Sequence, residues 1–175
     1  MPTLAGQLQH LAAPCLGLAR LMLKDVKPSD FARKPAIGGT VVDANHPAFA
    51  YGHLATYPAK AMKALGLDPA PAEVPAAYAE LFAAGKPCLD DPKGEIYPPM
   101  EEITAHFFRS YEALLAAIKD LPDAKLMGPN PGEGRIKEMF PDLAGLMMFF
   151  LGSHPMMHLG QVSTWRRCFG LGSVM

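Results

Sequence analysis

Two histidines lie four positions apart near the C-terminal end of the sequence, at His154 and His158. On an α-helix this spacing places both imidazoles on one face, one turn apart, where they can reach the same metal ion. The surrounding residues 143–165 contain no Asp, Glu, Lys or Arg. Because buried imidazoles need partners, the pair predicts an internal metal site. The structural alternative is two neutral histidines bonded to backbone or water.

A metal site needs a third protein ligand, and the remaining histidines are His10, His46, His53 and His106. His53 is the best candidate because it lies in the middle of a helical stretch of core-type residues. We expect His46, beside Pro47, to be a solvated cap at the start of that helix. His10 lies off the apolar stripe of its helix and is expected at the surface. His106 is retained as a spare ligand or as a hydrogen-bond partner of a ligand.

Pro155 lies between the paired histidines and cannot donate a hydrogen bond to the carbonyl of Leu151. We expect either a kink in the helix or a new helix that begins there with Ser153 as its N-cap. Both arrangements keep His154 and His158 about one turn apart, whereas a sharper distortion would rotate His154 away from the metal.

Glycines adjoin two of the candidate ligands, with Gly52 before His53 and Gly160 two residues after His158. A glycine inside a helix costs up to about 1 kcal/mol relative to alanine. Such a cost is explained where helices approach closely. We therefore expect close contacts at both glycines, either around a shared ion or through ordinary helix packing.

Helical periodicity dominates the rest of the chain, with Pro- and Gly-rich connections between the helical stretches. Pro14 and Pro58 should kink or divide the first two helices, and residues 39–42 are too short to build a sheet. The pattern predicts an all-α protein, an antiparallel helical bundle that forms one domain over residues 1–175. The four long helices and one short helix (72–84) are expected at residues 3–24, 46–65, 72–84, 99–121 and 141–169.

Composition narrows the possible functions. A net charge of −1 provides no field to recruit nucleic acid or an anionic membrane. Residues 143–165 are long enough to span a bilayer, but two histidines and Gln161 would be costly in lipid. The three scattered cysteines, Cys15, Cys88 and Cys168, suit a reducing compartment. Since the N-terminal residues lack a basic signal region, we expect a cytoplasmic protein without nucleic-acid or membrane partners.

Three segments resemble the DinB-like (DinB/YfiT) proteins. Residues 48–55, Ala-Phe-Ala-Tyr-Gly-His-Leu-Ala, are similar to the family's W-x-x-G-H-L helix. The pattern His154-x-x-x-His158-x-Gly-Gln161, followed by Arg166 and Arg167, is similar to its last helix. Residues 31–39 are similar to the loop that precedes its first ligand histidine. The order and spacing of the three histidines carry most of the specificity of this resemblance.

The resemblance implies a four-helix bundle in up-down-down-up order, often a homodimer, whose crossover would here contain the short extra helix. It implies a metal, commonly zinc or nickel, held by one histidine of the second helix and two of the fourth. In this sequence those residues are His53, His154 and His158. Characterised relatives include transferases and isomerases that use low-molecular-weight thiols. Arg166 and Arg167, near the end of the last helix, are expected to be solvated and to complement its dipole.

Two functions follow from these observations. The first is a divalent-metal-dependent enzyme, a thiol-dependent transferase or a hydrolase, acting on a small-molecule substrate. Three neutral imidazoles would leave the ion its full charge, so that bound water or thiol loses its proton near neutral pH. No Asp or Glu lies in the apolar stripes, so the sequence identifies no general base. The alternative is a non-catalytic dimeric binding or stress protein with a vestigial or structural metal.

Overall fold

Helices make up most of the protein in the computed structural model, which describes residues 3–174. The predicted all-α class is confirmed. Within that range no helix is both long and apolar enough to cross a membrane. The α-helices are α1 (Leu4–Met22), α2 (Pro47–Ala55), α3 (Tyr57–Ala64), α4 (Ala77–Phe82), α5 (Met100–Ile118), α6 (Asp123–Leu126), α7 (Gly134–Met139), α8 (Leu143–Met148) and α9 (His154–Cys168). A 3-10 turn occupies Ala70–Ala72 and a π-helical segment Phe149–Ser153.

A short hairpin precedes the second helix. Strands β1 (Ala36–Ile37) and β2 (Thr40–Val41) pair antiparallel, with Ala36 opposite Val41. The two residues between them, Gly38 and Gly39, have φ values of 58° and 82°, a left-handed conformation that glycine adopts without strain. The strands are two residues long, so the segment adds a turn and builds no larger sheet.

The first long helix forms much as its periodicity predicts. Thr3 caps α1 by accepting a hydrogen bond from the amide of Gly6. The helix then passes through Pro14 undivided.

Glu101 and Glu102 lie in the first turn of α5, where the helix dipole favours negative charge.

The predicted second helix is divided into two, α2 and α3. Pro58 has no amide to donate to the carbonyl of Leu54, and the helix breaks two residues before it, at Thr56. At Thr56 both the backbone amide and the hydroxyl donate to the carbonyl of His53, at 3.1 and 2.8 Å. This tight turn ends α2, and Tyr57 begins α3.

The last helical stretch contains a widened turn before Pro155. The amide of His154 donates to the carbonyl of Phe149, five residues back, which is the π-helical pattern. Ser153 has helical dihedral angles (φ −64°, ψ −37°) and makes no capping bond with its side chain. Of the two expected arrangements, the one in which Ser153 caps a new helix is therefore wrong. The widened turn lies directly before Pro155, which has no amide hydrogen to donate.

The C-terminal end of α9 is joined to the end of α1. Arg166 is 1% exposed, and its Nη1 donates to the carbonyl of Met22 at 3.0 Å and to that of Lys24. The expectation of a solvated Arg166 is therefore wrong, because its guanidinium caps the carbonyl end of another helix. Arg167 lies on the outer side and bonds to Ser163.

The glycines near the ligand histidines differ in their surroundings. A Cβ on Gly52 would lie 2.5 Å from the ring of Phe82, which is fully buried. A Cβ on Gly160 would meet no atom of residues 3–174 within 4 Å, so the expected close contact is absent from the described part of the chain. The second close approach is at Gly152 in the π-helical segment, where a Cβ would lie 2.8 Å from the side chain of Leu11 in α1.

These surroundings predict opposite effects for one substitution. Gly52→Ala should lower the free energy of unfolding by about 1–3 kcal/mol, because the Phe82 ring has no space to move away. Gly160→Ala, also in a helix, should raise it by up to about 1 kcal/mol. Urea-induced unfolding of both variants tests this pair. Equal effects of the two substitutions would contradict the packing described.

Candidate metal centre

Three histidines converge inside the protein, one from α2 and two from α9. Their ligand nitrogens all lie within 4.8 Å of one another, and His53, His154 and His158 are only 6%, 4% and 6% exposed. The ring centroids are 4.8–5.3 Å apart. The structure therefore brings together the three residues that the sequence singles out.

Hydrogen bonds fix the tautomer of two of the rings. Nδ1 of His53 lies 2.7 Å from the carbonyl oxygen of Phe82 and must carry the proton, because a carbonyl can only accept. Nδ1 of His158 likewise donates to Oε1 of Gln161 at 2.9 Å, an atom that also accepts from the amide of Asn45. Each Nε2 is left with a free lone pair, as in histidines that bind metals.

The separation of the α9 histidines suits a shared cation. Nε2 of His154 lies 3.2 Å from Nε2 of His158. Two nitrogens bound to one zinc ion at about 2.0–2.1 Å in tetrahedral geometry are about 3.3 Å apart. Without a cation, one Nε2 must carry a proton and donate to the other. Nδ1 of His154 is buried with no partner among the described residues, so packing and the contact with His158 orient this ring.

Aromatic side chains form the walls of this centre. Phe49 stacks on the ring of His53, and Phe149 stacks on the ring of His154. The ring of Tyr57 makes T-shaped contacts with both histidines, with centroid distances of 4.9 Å to His53 and 4.4 Å to His154. The sequence analysis assigned no role to Tyr57. Its position one turn after His53 is the signal that could have identified it.

The centre opens into a cleft of about 390 Å³. None of the described residues lining this cleft is an Asp or a Glu. They are Asn45, Phe49, His53, Tyr57, Ala83, Ala84, Gly85, Lys86, Phe149, His154, Met157 and His158. No carboxylate among these residues would therefore neutralise the charge of a cation bound in the centre.

Burial keeps the three imidazoles neutral. It lowers the pKa of His158 to about 4 and, together with repulsion by His158 and His53, that of His154 to about 3. The pKa of His53 is lowered for the same reason, and the bond to Phe82 opposes that shift only in part. Because a histidine ligates as the neutral ring, protons compete with a metal only in acid.

The other three histidines lie outside this group. His10 is exposed, as expected. His106 is half-buried and contacts Tyr78 and Arg109, so it is not the spare ligand considered above. His46 is indeed the N-cap of α2, but it is fully buried and not solvated.

His46 can be buried because both of its ring nitrogens make hydrogen bonds. Nδ1 accepts the amide hydrogen of Phe49 at 3.1 Å, and Nε2 donates to the carbonyl of Leu89 at 2.8 Å. This ring therefore joins the start of α2 to the segment that follows α4.

The chain belongs to the DinB superfamily. The family model with that description matches residues 1–162, which include all three convergent histidines. No curated protein matches the sequence.

The buried His46 predicts a dependence of stability on pH. Burial lowers its pKa to about 4, against the opposing effects of the Leu89 carbonyl and Asp90. Below pH 6.5 the unfolded chain takes up a proton that the folded protein refuses, so folding stability is lost as pH falls towards 4. Over this window the single group should account for about 3 kcal/mol.

His46→Asn keeps a good N-cap but cannot titrate. In chelator-treated protein, the free energy of unfolding should fall less steeply from pH 7 to pH 4 in this variant than in the wild type. Denaturant titrations at several pH values measure both slopes. Parallel slopes would contradict the assignment.

Proposed function

We propose that the protein is a divalent-metal-dependent enzyme whose ligands are His53, His154 and His158. The observation that supports this most strongly is the convergence of three buried neutral imidazoles. In two of them Nδ1 donates to an acceptor, so Nε2 is unprotonated and can bind a metal. Zinc or nickel fits this all-nitrogen set. A bound divalent cation would act as a Lewis acid and lower the pKa of a coordinated thiol or water. The reactions that suit this chemistry are thiol-dependent group transfer and hydrolysis of a small molecule.

The protein's own residues prepare the site in three ways. The Phe82 carbonyl and Gln161 hold two rings in the ligating tautomer. The rings of Phe49, Tyr57 and Phe149 line the cleft beside the histidines and make its walls largely apolar. The cleft leaves the centre open to a small molecule.

The proposal includes the arrangement of the chain. The long helical segments are α1, α2 with α3, α5, and α8 with α9, and α2 packs on both α5 and α9 while α1 packs on α9. We place them in an up-down-down-up four-helix bundle, with α4 in the crossover. This bundle forms one domain over residues 1–175, whose ends (1, 2 and 175) lie outside the described residues. A homodimer in the cytoplasm completes the proposal.

A second candidate is a non-catalytic dimeric protein in which a metal is structural or the site is vestigial. It is favoured by one observation: among the described residues lining the cleft there is no carboxylate to act as general acid or base. In this case the histidines would stabilise the fold and no turnover would depend on them.

Metal content tests the ligand assignment. Protein purified without a polyhistidine tag should contain about one equivalent of zinc or nickel per chain, measured by elemental analysis. His158→Ala should lose it, because two imidazoles and water bind far more weakly. His106→Ala, which removes a histidine outside the centre, should retain it. Equal metal content in all three proteins would refute the site.

Turnover separates the two candidate functions. A screen of low-molecular-weight thiols with electrophilic acceptors should reveal adduct formation that stops on treatment with a chelator and returns with added metal. The structural alternative predicts no metal-dependent turnover, but a melting temperature that falls when the metal is removed. Adduct formation unaffected by the chelator would exclude metal-dependent catalysis.

A further inference from the structure

Lys60 lies next to the metal centre, one turn of α3 beyond Tyr57. Its ammonium is 4.6 Å from the centroid of the Tyr57 ring, and that ring is in turn 4.4 Å from the ring of His154. Burial is the main cause of the lowered pKa values of His53 and His154, and the charge of Lys60 contributes to lowering both. The charge of Lys60 therefore contributes to the electrostatic potential at these histidines.

Lys60 differs from neighbouring lysines in its partners. Lys63 is paired with Glu73 at 3.6 Å, and Lys86 is paired with Glu80 at 3.2 Å. Among the described residues no carboxylate forms an ion pair with Lys60, whose contact is the face of Tyr57. Its positive charge therefore remains available to a ligand.

A second cavity lies beside this lysine. It has a volume of about 500 Å³ and adjoins the metal cleft at Ala83, which lines both. Apart from Thr56, Lys60 and the Lys63–Glu73 pair, its lining is small and apolar. The apolar lining residues are Ala59, Val74, Pro75, Ala76, Ala79 and Ala83.

We propose that this cavity binds the apolar body of a small organic acid, that Lys60 pairs with its carboxylate, and that its reactive end lies at the three histidines. A single lysine matches one negative charge. A phosphate monoester carries more than one charge at neutral pH and is usually met by several donors. The cavity wall offers apolar contact to a ring or short chain, which gives affinity without further polar groups.

The placement of the ligand's reactive end at the histidines rests on the proposed function. The pairing of its carboxylate with Lys60, which we call the anchor, does not. Lys60 and the alanine-rich wall require no metal. The anchor can therefore be tested on the full chain both as purified and after treatment with a chelator. A failure of the anchor is then distinguishable from a failure of the metal site.

The test compares 3-phenylpropionate with its neutral amide, 3-phenylpropionamide, by isothermal titration calorimetry. The carboxylate should bind about tenfold more tightly than the amide, because hydrogen bonds to charged groups are stronger than neutral ones. Lys60→Met should abolish this preference, and Lys60→Arg should restore it. Lys63→Met, in the same cavity wall but already paired with Glu73, should leave it within about twofold.

Several results would overturn the anchor. One is equal binding of acid and amide by the wild type, or no saturable binding of the acid. Another is an equal loss in Lys60→Met and Lys63→Met, which would indicate a diffuse positive potential. A preference that survives Lys60→Met but disappears with the chelator would show that the carboxylate binds the metal instead. Circular dichroism of each variant verifies that it is folded.

Discussion

The contact between α2 and Phe82 is the constraint on which the centre depends. The ring of Phe82 fills the space that the missing side chain of Gly52 leaves, and its carbonyl accepts the Nδ1 hydrogen of the next residue, His53. One residue of α4 thus sets how closely α4 approaches α2 and which nitrogen of His53 faces the other rings. A larger residue at position 52 would disturb both, because packing and tautomer share the same neighbour.

The two histidines of α9 depend on a different feature, the π-helical turn before Pro155. In a regular α-helix the proline would leave a carbonyl unpaired and strain the turn that carries His154. The chain nevertheless continues as a helix through this turn, with a longer bond from His154 to Phe149. Gly152 lies in the same turn and lets the segment pack directly on Leu11. His154 therefore keeps its place beside His158, and Phe149 stacks on its ring.

The parts of the fold that depend on local pattern were predictable from sequence. The helical class and the inward face of α9 follow from periodicity, since a 3.6-residue repeat decides which side chains share a face. The choice of His53 follows from its place within a helical stretch of core-type residues. The division at Thr56 and the π-helical turn were not predictable in form, although Pro58 and Pro155 indicated where to expect them. A proline removes one hydrogen bond, and the surrounding packing decides how the chain replaces it.

Errors in the sequence analysis concern residues whose environment is made by distant segments. His46 was placed in solvent because of its local position beside Pro47, yet the carbonyl of Leu89 covers it. Gly160 looked equivalent to Gly52, but among the described residues no atom would lie within 4 Å of a Cβ placed there. The roles of Phe82 and Gln161 were likewise missed, because a backbone carbonyl leaves no mark in the sequence and one amide side chain is a weak signal.

Arg166 has a consequence for how the two longest chain-end segments are held together. Its guanidinium reaches carbonyls of Met22, Lys24 and Leu171, a set that the single ammonium of a lysine cannot span in the same planar geometry. The placement of α9 against α1 therefore depends on the shape of this one side chain as well as on its charge. Since α9 carries two of the three convergent histidines, a residue remote from the cleft helps to set their position.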